Sequence, residues 1–140
     1  MIKEKALTSD ILIATSTETV LLEMLLSTQN YRLEFRDTGE ATLAYLREAT
    51  PALIMLDAKL PDVSGTALCS RIKRVSRLKP VPLMLLVSAK NTQGVTDASL
   101  CGCEELITKP LAGQDIRARV AGLLGKQTLS DHPLSWRQAS

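Results

Sequence analysis

Residues 53–65 read LIMLDAKLPDVSG, a run of apolar residues that ends in a carboxylate and a polar, turn-forming segment. The apolar run at 53–56 does not alternate with polar residues, which is typical of a strand covered on both faces. Two further runs have the same character, ILIA at 11–14 and LMLLV at 83–87. Together the three runs predict the centre of a parallel sheet that has helices on either side.

Two weaker strands complete the pattern. The segment YRLEFR at 31–36 alternates strictly, which indicates an edge strand with one wet face, and ELIT at 105–108 is a short candidate. Helical segments separate the strands, so the chain repeats a βα unit. The fold class predicted is α/β, a doubly wound five-stranded parallel sheet. Because the second strand is one-sided, we place it at an edge, in the flavodoxin-like strand order 2-1-3-4-5.

Apolar residues recur at helical spacing between the strands. They are Leu21, Leu22, Leu25 and Leu26; Leu68, Ile72 and Val75; and Ile116, Val120, Leu123 and Leu124, with Arg117 and Arg119 predicted to point outward. Asp37 with Glu40 resembles a capping box before another helix. Residues 91–100 contain mostly poor helix formers, and we expect a short, mobile helix there.

The composition limits the classes of function. With 140 residues and 45% apolar content, the chain can bury its own core and is not a disordered protein. An aromatic content of 3% argues against a stacking platform for bases or flavins, and a net charge of +2 is too small to indicate nucleic-acid binding. We place the folded domain at residues 1–126 and a tail or linker at 127–140.

Charged residues interrupt the amino terminus, so we see no signal-peptide segment. The longest apolar stretch, at 81–87, contains a proline and is too short to cross a bilayer. These features predict a cytoplasmic protein that does not enter a membrane.

The cysteines, Cys69, Cys101 and Cys103, are odd in number and form no CxxC pair. This pattern favours reduced thiols in the interior of a cytosolic protein. A redox pair or soft-metal site at Cys101 and Cys103 stays open as the alternative, although His132 is the only histidine that could assist it.

Polar residues follow the predicted central strands. In the 2-1-3-4-5 order a crevice opens at the carboxyl ends of strands 1 and 3, where residues 14–17 and 56–59 converge. Asp57 ends the third strand, Ser88 the fourth, and Lys109 follows the fifth. A carboxylate, a hydroxyl and an ammonium can there surround one small anion.

Three motifs in order resemble those of response-regulator receiver domains, the signalling modules of two-component phosphorelays. DAKLPDVSG at 57–65 resembles their phosphoacceptor segment, VSA at 87–89 their strand-4 Ser/Thr-Ala motif, and GCEELITKP at 102–110 their strand-5 signature. The resemblance covers about residues 9–126. It implies that Asp57 is phosphorylated, that Ser88 and Lys109 contact the phosphoryl group, and that the Lys109-Pro110 bond is cis.

The family also implies a magnesium ion, held by two acidic residues after strand 1, by Asp57 and by the backbone carbonyl of Lys59. Here Thr15 and Ser16 occupy the acidic positions, so the pocket is degenerate. Their neutral hydroxyls are poor ligands for this hard ion, and we expect weak magnesium binding if any. Glu18 could substitute, but we expect it in the first helical turn, pointing elsewhere.

Two further positions depart from the family pattern. Leu106 replaces the usual Tyr or Phe whose ring changes orientation, so any switch would need another bistable element. Cys103 replaces the usual alanine, as a small residue that fills the core.

The resemblance therefore predicts a non-enzymatic signalling module that acts by protein–protein interaction, with weak or absent magnesium-dependent phosphorylation of Asp57. The partner would be a histidine kinase or a downstream effector. It would bind the face formed by residues 91–100, the fifth strand and the last helix. One alternative is a conventional receiver phosphorylated on Asp57 by a histidine kinase. A remote alternative is flavodoxin-like cofactor binding by the loop TSTET at 15–19.

Overall fold

The computed structural model describes residues 9–27, 30–88 and 101–129. Its strands are β1 (Ser9–Ala14), β2 (Tyr31–Arg36), β3 (Leu53–Asp57), β4 (Leu83–Ser88) and β5 (Glu105–Lys109). Every neighbouring pair is parallel, and the spatial order is β2-β1-β3-β4-β5. The predicted doubly wound sheet and its strand order are confirmed.

Helices cover both faces of this sheet: α1 (Thr19–Leu26), α2 (Gly39–Glu48), α3 (Gly65–Lys73) and α4 (Gly113–Leu129). In β1, Ile11 and Ile13 belong to the core cluster that α1 and α4 close. The intervening residues, Leu12 and Ala14, belong to the cluster that α2 and α3 close. Successive side chains of a strand point to opposite faces, so a strand between two helical layers must be apolar throughout.

The burial of the strands follows their place in the sheet. Every residue of β3 is buried, and in β4 only Ser88 is exposed. Each residue of β2 is partly buried or exposed, as predicted for an edge strand. The central strands therefore deliver Asp57 and Ser88 to the carboxyl edge from an apolar interior.

The start of α2 differs from the predicted capping box. Thr38, not Asp37, is the N-cap residue, and its hydroxyl accepts from the amide of Ala41 at 3.0 Å. The next amides, of Gly39 and Glu40, donate to the carboxylate of Asp62 at 2.8 and 3.0 Å. A side chain from a distant loop thus satisfies amide groups that the local sequence leaves open.

The C-terminal helix α4 continues to Leu129, past the predicted domain boundary at residue 126. The predicted helix at 91–100 and most of the predicted tail, with His132, lie outside the described residues. Within the described ranges, no helix is long and apolar enough to cross a membrane.

Candidate functional site

Asp57 lies at the end of β3, and it is only 1% exposed. Its Oδ2 accepts from the hydroxyl of Thr15 at 2.9 Å, and its Oδ1 accepts from the backbone amide of Lys59 at 3.1 Å. The ammonium of Lys109 donates to Oδ1 at 3.0 Å and to Oδ2 at 2.9 Å. Both carboxylate oxygens therefore have close partners from three different elements of the chain.

Thr15 follows β1 and, like Asp57, is 1% exposed. Its Oγ1 donates to Asp57 and accepts from the amides of Thr17 at 3.3 Å and Glu18 at 3.1 Å. The hydroxyl thus starts the turn into α1 while it holds the carboxylate. These two amides therefore already have an acceptor within the chain.

Glu18 contradicts the expectation that it points away from the site. It is the N-cap residue of α1 rather than part of the first turn, and its Oε2 lies 3.6 Å from Nζ of Lys109. The bond from its amide to Thr15 turns the chain so that the side chain faces the crevice. A capping-box pattern of Thr15 and Glu18 would have put Glu18 inside the first turn with its side chain on the Thr15 amide, so no local sequence pattern predicts the contact with Lys109.

Ser88 and Lys109 pair in register where β4 and β5 end. With Asp57 they line a cleft of about 650 Å³, whose other walls come from Ala58, Lys59, Leu60, Val63 and Ser64. The structure thus brings together the three residues that the sequence placed around one anion. The Lys109-Pro110 peptide bond is cis. Ser16, exposed, lines an adjacent cleft of about 350 Å³.

Gly65 explains how closely the loop after β3 can fold back. A Cβ atom at this position would lie 2.1 Å from the carbonyl oxygen of Asp57 and 2.7 Å from Cα of Ala58. The Gly65 amide donates to the Ala58 carbonyl at 2.7 Å. The first turn of α3 therefore rests directly on the backbone of the acidic residue, and only glycine fits there.

Leu106 lies in β5, half-buried, and packs against the core cluster of α2 and α3. Arg119 is predicted to point outward, and its side chain is 38% exposed while it also bridges α4 and β5. Its guanidinium donates to Glu105 at 2.8 Å, to Asp115 at 3.0 Å and to the Leu106 carbonyl at 3.3 Å. Sequence periodicity missed this contact because it reports the average face of a helix, whereas a long arginine side chain can reach across to a strand.

Residues 10–121 match the family of response regulator receiver domains. The chain belongs to this family. Receiver domains act in two-component signalling. The motifs that resemble this family lie where the structure has the Asp57 crevice and the cis Lys109-Pro110 bond.

The receiver domain is similar in sequence to part of several transcriptional regulators. It is 34% identical over 103 residues to the transcriptional regulatory protein AfsQ1 of Streptomyces coelicolor, a match that covers 74% of this chain and 44% of AfsQ1. Over 86 residues it is 34% identical to the DNA-binding dual master transcriptional regulator RpaA of Synechocystis, covering 61% of this chain and 34% of RpaA. The chain thus spans less than half the length of these two regulators.

A solved structure shows the same fold. The signal receiver domain of a signal transduction histidine kinase from Syntrophus aciditrophicus superimposes with a TM-score of 0.79 at 28% identity. The match covers 84% of this chain and 91% of that one.

The side chains around the pocket where the family holds magnesium already contact one another in this receiver domain. Asp57 and Glu18 both contact the Lys109 ammonium, and the Thr15 hydroxyl already donates to Asp57. Across residues 9–27, 30–88 and 101–129, no group of three or more His, Cys, Asp or Glu side chains is placed to hold a metal. Magnesium is a hard ion that takes near-octahedral oxygen coordination, normally with carboxylates among its ligands.

The cysteines of the receiver domain lie together, away from this site. The Cys69 thiol donates to the Cys101 carbonyl at 3.4 Å, and none of the three cysteines forms a disulfide. Burial raises the pKa of Cys69 and raises that of Cys103 to about 12. Since the thiolate is the reactive form, Cys69 and Cys103 are poor nucleophiles. Cys69 and Cys101 belong to the core cluster that α2 and α3 close, and Cys103 packs against it.

Proposed function

We propose that this receiver domain signals by binding a protein partner and that magnesium-dependent phosphorylation of Asp57 is slow or absent. One observation carries the proposal: the buried Asp57 carboxylate is held by the Thr15 hydroxyl and the Lys109 ammonium. We assign the domain no catalytic activity of its own.

The reason lies in the charge around Asp57. Metal-assisted phosphoryl transfer needs a cation that neutralises charge on the moving group. With Thr15 and Ser16 in place of two acids, the attraction for a divalent cation is weaker. The Lys109 ammonium contacts both oxygens of Asp57, so this carboxylate has a cationic partner without a metal.

A protein partner is the second part of the proposal. We place its binding surface on β5 and α4; residues 91–100, which the sequence adds to this surface, lie outside the described residues. Arg119 ties α4 to β5 through Glu105 and the Leu106 carbonyl, which favours one arrangement of this face. A leucine at 106 supplies no ring that could reorient. The partner is a histidine kinase or a downstream effector that recognises the unmodified domain.

A conventional phosphoacceptor is the second candidate. It is favoured by the cleft that Asp57, Ser88 and Lys109 share, because a phosphoryl group on Asp57 would find a hydroxyl and an ammonium beside it. The two candidate functions differ in whether a phosphoryl group can be transferred to Asp57.

Amide NMR spectra with magnesium alone, and with magnesium and beryllofluoride, separate the two candidates. Beryllofluoride mimics a phosphoryl group on a carboxylate, and Asp57→Asn is the matched control that cannot be loaded. We expect nearly unchanged wild-type spectra. Shifts that spread from Asp57 through Ser88 to Leu106, absent in Asp57→Asn, would establish the conventional receiver instead.

A further inference from the structure

We propose that Glu18 is a positioning residue that holds the Lys109 ammonium beside Asp57 and repels anionic phosphoryl-type groups from that carboxylate. The inference rests on the proposed function, since it supplies a reason for poor loading of Asp57 beyond the missing acidic pair. The Glu18 carboxylate acts from the start of α1, on the rim of the crevice.

The Lys109 ammonium lies between two carboxylates. It is 3.0 and 2.9 Å from the oxygens of Asp57, and 3.6 Å from Oε2 of Glu18. The side chains of Lys109 and Glu18 are 22% and 21% exposed, so both are largely removed from water. Charge interactions are stronger in such a place than on an open surface.

The position of Glu18 follows from the backbone. Its amide donates to the buried Thr15 hydroxyl, and its carbonyl accepts from the amide of Leu22 in the first turn of α1. The side chain makes no capping hydrogen bond to the helix. Its carboxylate contacts the Thr17 hydroxyl at 3.5 Å and Lys109, so the helix start does not account for its direction.

The consequence is electrostatic. The positive charge of Lys109, which contacts the Asp57 carboxylate, would have to neutralise an anionic group attached to Asp57. Glu18 competes for this ammonium and adds a negative charge within several ångströms of the incoming group. Removal of that charge should therefore favour loading of Asp57 by about five- to tenfold, the order expected for one partly buried unit charge at such a distance.

The test compares Glu18→Gln with Glu23→Gln, which removes the same charge from an exposed position on the same helix. Beryllofluoride affinity is measured by NMR titration at one high, fixed magnesium concentration. The titration is made in the wild-type background and in Thr15→Asp with Ser16→Asp, where we expect beryllofluoride to bind Asp57 more readily. We expect about five- to tenfold tighter binding in Glu18→Gln and no change in Glu23→Gln. The gain should shrink as salt is added, which a purely structural effect would not show.

A second measurement does not depend on loading. Exchange of the Lys109 ammonium protons with water, followed by nitrogen-15 NMR without beryllofluoride, reports how firmly the ammonium is held. We expect exchange to be several-fold faster in Glu18→Gln and unchanged in Glu23→Gln.

Three results overturn the proposal: equal affinity in Glu18→Gln and Glu23→Gln, weaker binding in Glu18→Gln, or unchanged ammonium exchange. If neither background binds beryllofluoride, the exchange measurement decides alone. Tight loading of the wild-type chain contradicts the proposed function. In that case the ratio of the beryllofluoride affinities of Glu18→Gln and Glu23→Gln still tests the role of Glu18. Failure of the proposed function can therefore be told apart from failure of this inference.

Discussion

Thr15 shows how one side chain changes the character of a site. Its hydroxyl, buried at the end of β1, donates to Asp57 and accepts from the amide of Glu18. A carboxylate at this position could accept from the same amide, but it could not donate to Asp57. The neutral donor therefore stabilises the charged Asp57 carboxylate, whereas acids in its place would repel that carboxylate unless a cation lay between them.

The first prediction concerns this residue and its neighbour. Thr15→Asp with Ser16→Asp should raise magnesium affinity by about tenfold or more, because carboxylates bind this ion far better than hydroxyls. The affinity is measured by NMR or calorimetric titration. A matched control adds two acids at exposed helix positions, Ala44→Asp with Ala118→Asp, and should leave the affinity nearly unchanged. No gain in the first variant would show that another group, such as Lys109, excludes the ion.

At the scale of elements, the site depends on how helices meet strand ends. The first turn of α3 approaches the backbone of Asp57 so closely that position 65 has no room for a side chain. By contrast, a Cβ atom at Gly122 in α4 would meet nothing within 4 Å. The two glycines therefore have opposite roles, one required by packing and one a weakness in a helix.

The second prediction uses that contrast. Gly65→Ala should destabilise the domain by about 2 kcal/mol or more, because the backbone of β3 or α3 must move. Gly122→Ala should stabilise it by roughly 0.5–1 kcal/mol through helix propensity. Urea denaturation of both variants measures these free energies of unfolding. Equal effects of the two substitutions would contradict the close approach at Gly65.

Asp62 is a second link between elements, since it joins the loop after β3 to the start of α2. Hydrogen bonds from the amides of Gly39 and Glu40 hold the pKa of Asp62 below its ordinary value of 3.8. A carboxyl whose pKa is lower in the folded state stabilises the fold above its unfolded pKa. That contribution is lost as the pH falls through the folded value.

The third prediction follows from this sign. Asp62→Asn should have a lower Tm than wild type at neutral pH, and the difference should shrink as the pH falls below about 4. Asp37→Asn removes another exposed carboxylate before α2 that lacks these hydrogen bonds, so it is the matched control. A Tm difference that is independent of pH would refute the role of the Asp62 charge.

For the whole molecule, burial divides the sheet into a centre and two edges. All of β3 and nearly all of β4 are buried, whereas β2 and β5 are only partly covered. Local opening is least frequent where backbone hydrogen bonds and apolar contacts are both interior. The site thus joins a fully buried strand, β3, to an edge strand, β5, that supplies Lys109.

The fourth prediction tests this division by amide hydrogen exchange. Exchange should be slowest in β3 and in residues 83–87 of β4, and faster in β2 and β5. Mass spectrometry of peptides from the folded domain gives the order. Asp57→Asn should leave the order of exchange rates among the strands unchanged, because the apolar cores on both faces of the sheet do not depend on the charge of Asp57. Edge strands protected as long as β3 would contradict it.

The amino-acid sequence by itself determined the sheet, its strand order and the meeting of Asp57, Ser88 and Lys109 at one edge. A continuous apolar run indicates a strand that helices cover on both faces of the sheet. Parallel strands bring their carboxyl ends to the same edge of the sheet. It also identified Thr15 and Ser16 as the departures from the family pattern. These features depend on local patterns that can be read along the chain.

Only the tertiary structure decided where the polar side chains of the site find their partners. Glu18 reaches Lys109, Asp62 caps α2 and Arg119 bridges α4 to β5, and each contact joins residues far apart in the sequence. Periodicity specifies which face of an element is buried. It does not specify the direction of a long side chain at a helix end, because that depends on which opposite charge the fold brings within reach.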